Sequence, residues 1–86
     1  MEVQVKKVRK LPNPKGAVKG YASVSVGGLL DVNDLSVVEG KNGWFVGMPY
    51  REYELNGEKK KAYFVWITDE ALRSEISEAV LAEYNK

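Results

Sequence analysis

The residues of this 86-residue chain best suited to chemistry lie in its second half. Glu58-Lys59-Lys60-Lys61-Ala62-Tyr63-Phe64-Val65-Trp66 sets a lysine triplet beside aromatic rings. Ammonium groups next to exposed rings suit phosphate binding and base stacking, the two contacts that any nucleic acid offers. A little earlier stands Gly47-Met48-Pro49-Tyr50-Arg51. Pro49 has no amide donor and ends ladder pairing, so Tyr50 and Arg51 turn outward where a strand leaves its sheet. Arg51, Tyr50, Lys59, Lys60 and Lys61 are therefore the candidate nucleic-acid-binding residues. The plainer alternative is edge protection by Pro49 and Arg51 beside a solvated lysine face. In a continuous strand, Phe64 and Trp66 would share a face with Lys60 and Ala62 and would serve as core or interface residues under a helix.

Other chemistries lack their parts. The chain has no histidine and no cysteine, so the commonest general base, the commonest zinc ligand, thiolate metal sites and disulfides are all missing. Asp31 and Asp34 read as turn and edge residues rather than an acid–base pair, and Glu75 and Glu78 as solvent-facing helix residues. Gly27-Gly28 and Gly40–Gly43 lack the spacing and the Lys-Ser/Thr of a phosphate loop. The reading is no enzyme, no catalytic residue, no metal, no cofactor and no small-molecule substrate. Nothing resembles a membrane span or a signal peptide, which fits a cytoplasmic protein. The net charge of +1 hides an asymmetry: residues 1–20 carry Lys6, Lys7, Arg9, Lys10, Lys15 and Lys19 against Glu2 alone. Residues 68–86 carry five carboxylates against Arg73 and Lys86. Such asymmetry marks a nucleic-acid face or two faces that meet in an assembly.

The elements that must position these groups can be read from periodicity. Val3 and Val5 alternate, then the phase slips to Val8, as at a bulge. Pro12-Asn13-Pro14-Lys15-Gly16 is a loop. Val18, Gly20, Ala22, Val24 and Val26 then share one strand face, and Gly27-Gly28 suits a two-residue hairpin. A third strand from about Leu29 to Glu39 slips again near Asp34. Asn42-Gly43 returns the chain into a fourth strand, in which Trp44 or Phe45 anchors the core. Asn56-Gly57 joins strands of about Tyr50–Leu55 and Lys60–Ile67. The period then changes: Thr68 caps a helix of about Asp69 to Tyr84, whose apolar stripe is Leu72, Ile76, Ala79, Val80 and Tyr84. The expectation is one α+β domain over residues 1–86, an antiparallel sheet of four to five strands with a C-terminal helix. A chain this short, with at least one long edge to cover, is expected to form a homodimer through its strands.

Val37-Val38-Glu39-Gly40 followed by Asn42-Gly43-Trp44-Phe45-Val46-Gly47-Met48-Pro49 resembles the stage V sporulation protein G family of bacterial septation regulators. Ile76-Ser77-Glu78-Ala79-Val80-Leu81-Ala82-Glu83-Tyr84 is similar to the ending of that family's helix, and residues 1–11 with 19–28 fit its first hairpin. After Met-Pro the family continues with Ser and two basic residues, where this chain has Tyr50-Arg51-Glu52. The resemblance implies an α+β dimer that regulates septation, sporulation or gene expression by binding nucleic acid, DNA first and RNA second. The competing function is a protein-interaction module whose sheet edge binds a division or regulatory partner.

Overall fold

The computed structural model describes residues 2–86; Met1, which opens the hairpin motif, lies outside them. Four strands, β1 (Val3–Lys10), β2 (Val18–Val26), β3 (Leu30–Gly40) and β4 (Gly43–Gly47), form one antiparallel sheet in the order β1-β2-β3-β4. Two more, β5 (Tyr50–Leu55) and β6 (Glu58–Tyr63), pair only with each other, and the chain ends in the helix α1 (Glu70–Tyr84). The architecture is the expected α+β, with the expected break at Pro49: there the chain leaves the sheet and starts a separate ribbon. Turn chemistry shows in two of the three short hairpins, although the β2–β3 loop has three residues, Gly27 to Leu29, rather than the expected two. Gly27 and Gly28 have φ of 58° and 66°, and Asn56 and Gly57 have 53° and 80°, the left-handed pair that matches the twist of antiparallel strands.

Three bulges reconcile the slipping pattern with one core. Lys6 is the extra residue between Val5 and Lys7, so Val3, Val5 and Val8 all face the helix. On β3, Asn33 and Asp34 stand opposite Ser23 alone, with Asp34 at φ 62°. That brings Val32, Leu35 and Val37 onto the same buried face. The third bulge, at Lys19 between the pairs Val18/Val38 and Gly20/Val37, corrects the reading of β2. It turns Val18 to the open face with Val38 and Phe45, leaving Gly20, Ala22, Val24 and Val26 on the core side.

The helix starts one residue later than expected. Asp69, not Thr68, is the cap: its Oδ1 accepts the Leu72 amide at 3.1 Å. Ile76 and Val80 are fully buried in one cluster with Val24, Leu35 and Val37, and Leu72, Leu81 and Tyr84 close the margins. Gly20 makes room for Tyr84, because a Cβ there would lie 3.0 Å from that ring and 2.7 Å from the Arg9 carbonyl oxygen. Trp44 and Phe45 do not anchor the core; Val46 and Met48 do. Trp44 lies on the helix side but rests at the rim against Tyr84, ring centroids 5.5 Å apart, and Phe45 points to the open face. Nor does β6 run to Ile67. It stops at Tyr63, after which Phe64 and Trp66 are exposed while Val65 and Ile67 pack on the core margin. Among the described residues, no helix is long and apolar enough to cross a membrane.

Candidate nucleic-acid interface

The β5–β6 ribbon is an arm whose contacts are chiefly internal. Its base is tied by the Phe64 amide donating to the Pro49 carbonyl at 2.9 Å. It is also tied by rings: Tyr50 to Tyr63 at 5.7 Å and Tyr63 to Trp66 at 5.0 Å. Cross-strand partners share a face, so the register divides the candidate residues. Arg51 lies opposite Ala62, and Lys60 opposite Tyr53, on one face. Tyr50, Lys59 and Lys61 lie on the other, with Tyr63, Glu54 and Glu52 as their neighbours. The structure thus brings Lys59, Lys60 and Lys61 onto one arm but points Arg51 away from Lys59 and Lys61. Arg51 stacks over Tyr53 at 5.4 Å and Lys61 over Tyr50 at 4.6 Å. Lys60 stands 3.6 Å from Glu58, an exposed pair of small energetic weight.

The face carrying Tyr50 and Lys61 looks onto the open side of the main sheet. Arg9, Tyr21, Ser36 and Gly47 stand in one row across its four strands. Over this row lies a hollow of about 520 Å³ reached by Tyr50 and Glu52 from the ribbon and by Asp34 from the β3 bulge. It continues past Val18, Ser36 and Tyr50 into a second hollow of about 230 Å³ bounded by Phe45, Lys61 and Tyr63. Gly47 keeps the floor low, since a Cβ there would stand 2.7 Å from the Ser36 Oγ. Arg9 lies over the Tyr21 ring at 5.7 Å. Sequence reasoning did not single out Tyr21 and placed Arg9 only among the basic residues of positions 1–20. The legible signal was the phase slip after Val5, which decides which face Lys7 and Arg9 take.

A second feature is the outer edge of β4, on which no strand of the described residues pairs. Beside it runs a cleft of about 550 Å³ between β4, Trp66 and the helix residues Glu70, Arg73, Ser74 and Ser77. The Arg73 guanidinium lies over Trp66 at 5.2 Å and 3.8 Å from Glu70, while its Nε is buried without a hydrogen-bond partner. No group of three or more His, Cys, Asp or Glu that could hold a metal ion occurs among the described residues.

An antiparallel sheet backed on one face by a single helix, with a basic two-stranded arm, defines a small α+β protein built around surfaces rather than an enclosed pocket. The chain belongs to the SpoVG family, whose model matches residues 1–86. It is 37% identical over its full length to the "Putative septation protein SpoVG" of Thermoanaerobacter sp. (strain X514), covering 89% of that protein. It is 34% identical to the proteins of the same name from Geobacillus thermodenitrificans (strain NG80-2) and Clostridium acetobutylicum, covering 85% and 86% of them. These names describe septation proteins and not enzymes.

Proposed function

We propose that this chain is a bacterial regulator of septation, sporulation or gene expression that acts by binding nucleic acid, as a homodimer in the cytoplasm. The septation role is taken from the names of its relatives. The nucleic-acid role rests on one observation, the projecting ribbon with Arg51 and Lys60 on one face and Lys59 and Lys61 on the other. A two-stranded ribbon fits the major groove, about 12 Å wide, and cations on both faces reach the phosphates of both walls. Glu52, Glu54 and Glu58 alternate with them and oppose binding, so the affinity of one arm is weak and a dimer with two arms gains by avidity. For the dimer seam the two sheet edges differ. The β1 edge carries Lys6, Lys7, Arg9 and Lys10, the usual defence against pairing, whereas β4 is Gly-Trp-Phe-Val-Gly without a charge and with exposed rings. A second copy of β4 is the occupant this edge suits.

The test is titration of duplex DNA at two salt concentrations. Affinity should fall steeply with salt, and Arg51→Ala should weaken binding on all sequences and make the slope shallower by roughly 1. If Arg51→Ala and a Lys59/Lys60/Lys61 triple Ala variant both bind as the parent does, the ribbon is not the interface. The second reading, an interaction module that holds a division or regulatory protein, is favoured by the cleft beside β4. Salt-insensitive capture of such a partner, with no DNA binding at low salt, would replace the first reading. Sedimentation of parent and Phe45→Lys protein, changed at an exposed β4 residue, tests the seam: a parent that runs as a monomer at micromolar concentration refutes it.

A further inference from the structure

We infer that the trough across the open face of the sheet is a binding site for single-stranded RNA, with bases stacked on Tyr21 and Tyr50. This rests on the nucleic-acid reading above and moves its tightest contacts from the ribbon to the sheet. Three observations converge. The first is continuity: the hollow over Tyr21 and the hollow beside Lys61 share Val18, Ser36 and Tyr50, so rings and cations line one path rather than two pits. A four-stranded sheet with rings on its open face can stack two or three bases, as the sheets of RNA-recognition domains do.

The second is the state of the cations. Arg9 lies over Tyr21 and Lys61 over Tyr50, and neither they nor Lys7 enter an ion pair among the described residues. A base arriving on either ring displaces the cation, which swings to the adjoining phosphate without breaking a salt bridge. Stacking and phosphate contact are thereby supplied by the same pair of residues. Duplex DNA cannot use these rings, because its bases are already stacked and paired.

The third is the pair of carboxylates. Asp34 and Glu52 border the trough and make no ion pair among the described residues. Carboxylates beside a phosphate chain are repulsive unless the ligand offers them hydrogens. Ribose 2′-hydroxyls are donors that DNA lacks, and they give Asp34 and Glu52 partners. The acidic groups thus select RNA over a DNA single strand.

The experiment is fluorescence anisotropy at one low salt concentration. The probes are a short oligouridylate, an oligothymidylate of equal length and a DNA duplex. The proteins are parent, Tyr21→Leu, Tyr50→Leu and Arg51→Ala. Leucine keeps bulk in the half-buried sites, and thermal unfolding confirms that each variant is folded. The parent should bind oligouridylate more tightly than oligothymidylate, and both more tightly than duplex. Each Tyr→Leu change should lower oligouridylate affinity about tenfold, and Tyr21→Leu, which lies off the ribbon, should leave duplex binding within about twofold. A Tyr50→Phe variant, which keeps the stacking face, should retain parental affinity. Equal affinity for the two single strands overturns the RNA assignment, and parental binding by both Tyr→Leu variants overturns the site. Duplex binding that depends on Arg51 with no single-strand binding would leave the ribbon reading standing and sink this one. Binding of none of the three probes would remove both.

Discussion

Gly47→Ala tests whether the floor of the trough is built as described. The backbone at Gly47 is not left-handed, so alanine is sterically permitted there by its own φ. In isolation the change should help, since glycine in a strand is destabilising by roughly 0.5–1 kcal/mol relative to alanine. The obstacle is Ser36, 6% exposed, whose Oγ would stand 2.7 Å from the new Cβ, where ordinary contact begins at 3.4 Å. Closing a shortfall of about 0.7 Å means rotating a buried hydroxyl or prising β3 from β4. Overpacking of this size costs typically 1–3 kcal/mol. The net loss should be about 1–2 kcal/mol, a Tm lower by roughly 4–16 °C for a domain of this size. Adding Ser36→Ala removes the offending oxygen, so the double variant should return to within about 0.5 kcal/mol of the parent. The coupling energy in that cycle should be about 1–2 kcal/mol. Urea unfolding at one fixed protein concentration reads all four species and keeps association from confusing the comparison. A Gly47→Ala protein as stable as the parent, with Ser36 in place, would refute the close approach.

Two further outcomes follow from the packing. Gly20→Ala sets a Cβ 2.7 Å from the Arg9 carbonyl oxygen, which cannot rotate away, so it should lose about 2 kcal/mol or more, and Tyr84→Ala should not rescue it in the same urea assay. Asp69→Ala removes the acceptor of the Leu72 amide and should cost about 1 kcal/mol, with helix fraying visible by circular dichroism, while Thr68→Ala should be nearly silent.

Local chemistry explains which parts of the fold were legible in the chain. The Gly27-Gly28 and Asn56-Gly57 turns could be read because only a few residue types adopt positive φ twice running. The helix could be read from Leu72, Ile76, Ala79 and Val80. The phase slips after Val5 and near Asp34 were visible as bulges, but the slip at Lys19 was hidden, because Val18 continues the alternation of Gly20 and Ala22 with nothing to betray it. The large rings misled for another reason. Trp44, Phe45, Phe64 and Trp66 are the most hydrophobic residues of their segments, and bulk argues for burial. Yet the single helix runs closest to the edge strands β1 and β4, and Val46, Met48, Val65 and Ile67, not the large rings, fill the space beneath it. The candidate residues on the ribbon were found by type. Their division between two faces depended on where β6 starts opposite β5, which the Asn56-Gly57 turn fixes once both strands are correctly bounded.

That division bears on how the arm can work. An isolated two-stranded hairpin is marginal in water, and this one has no core of its own. The contacts that hold it are gathered at its base. At the base, Pro49 and Phe64 share a hydrogen bond, and Tyr50, Tyr63 and Trp66 brace one another. Toward the tip, Leu55 to Lys60 are all exposed, and the ion pair there among the described residues is Lys60–Glu58. A contact made by Lys59 or Lys60 must order a long exposed lysine away from the bracing rings, which offsets much of its Coulomb gain. A contact made by Lys61 or Tyr50 uses groups already held against rings and sheet. The lysines nearest the turn are suited to long-range attraction, which needs no fixed geometry. The residues at the base, facing Arg9 and Tyr21 across the trough, are suited to the bound state, where geometry decides affinity.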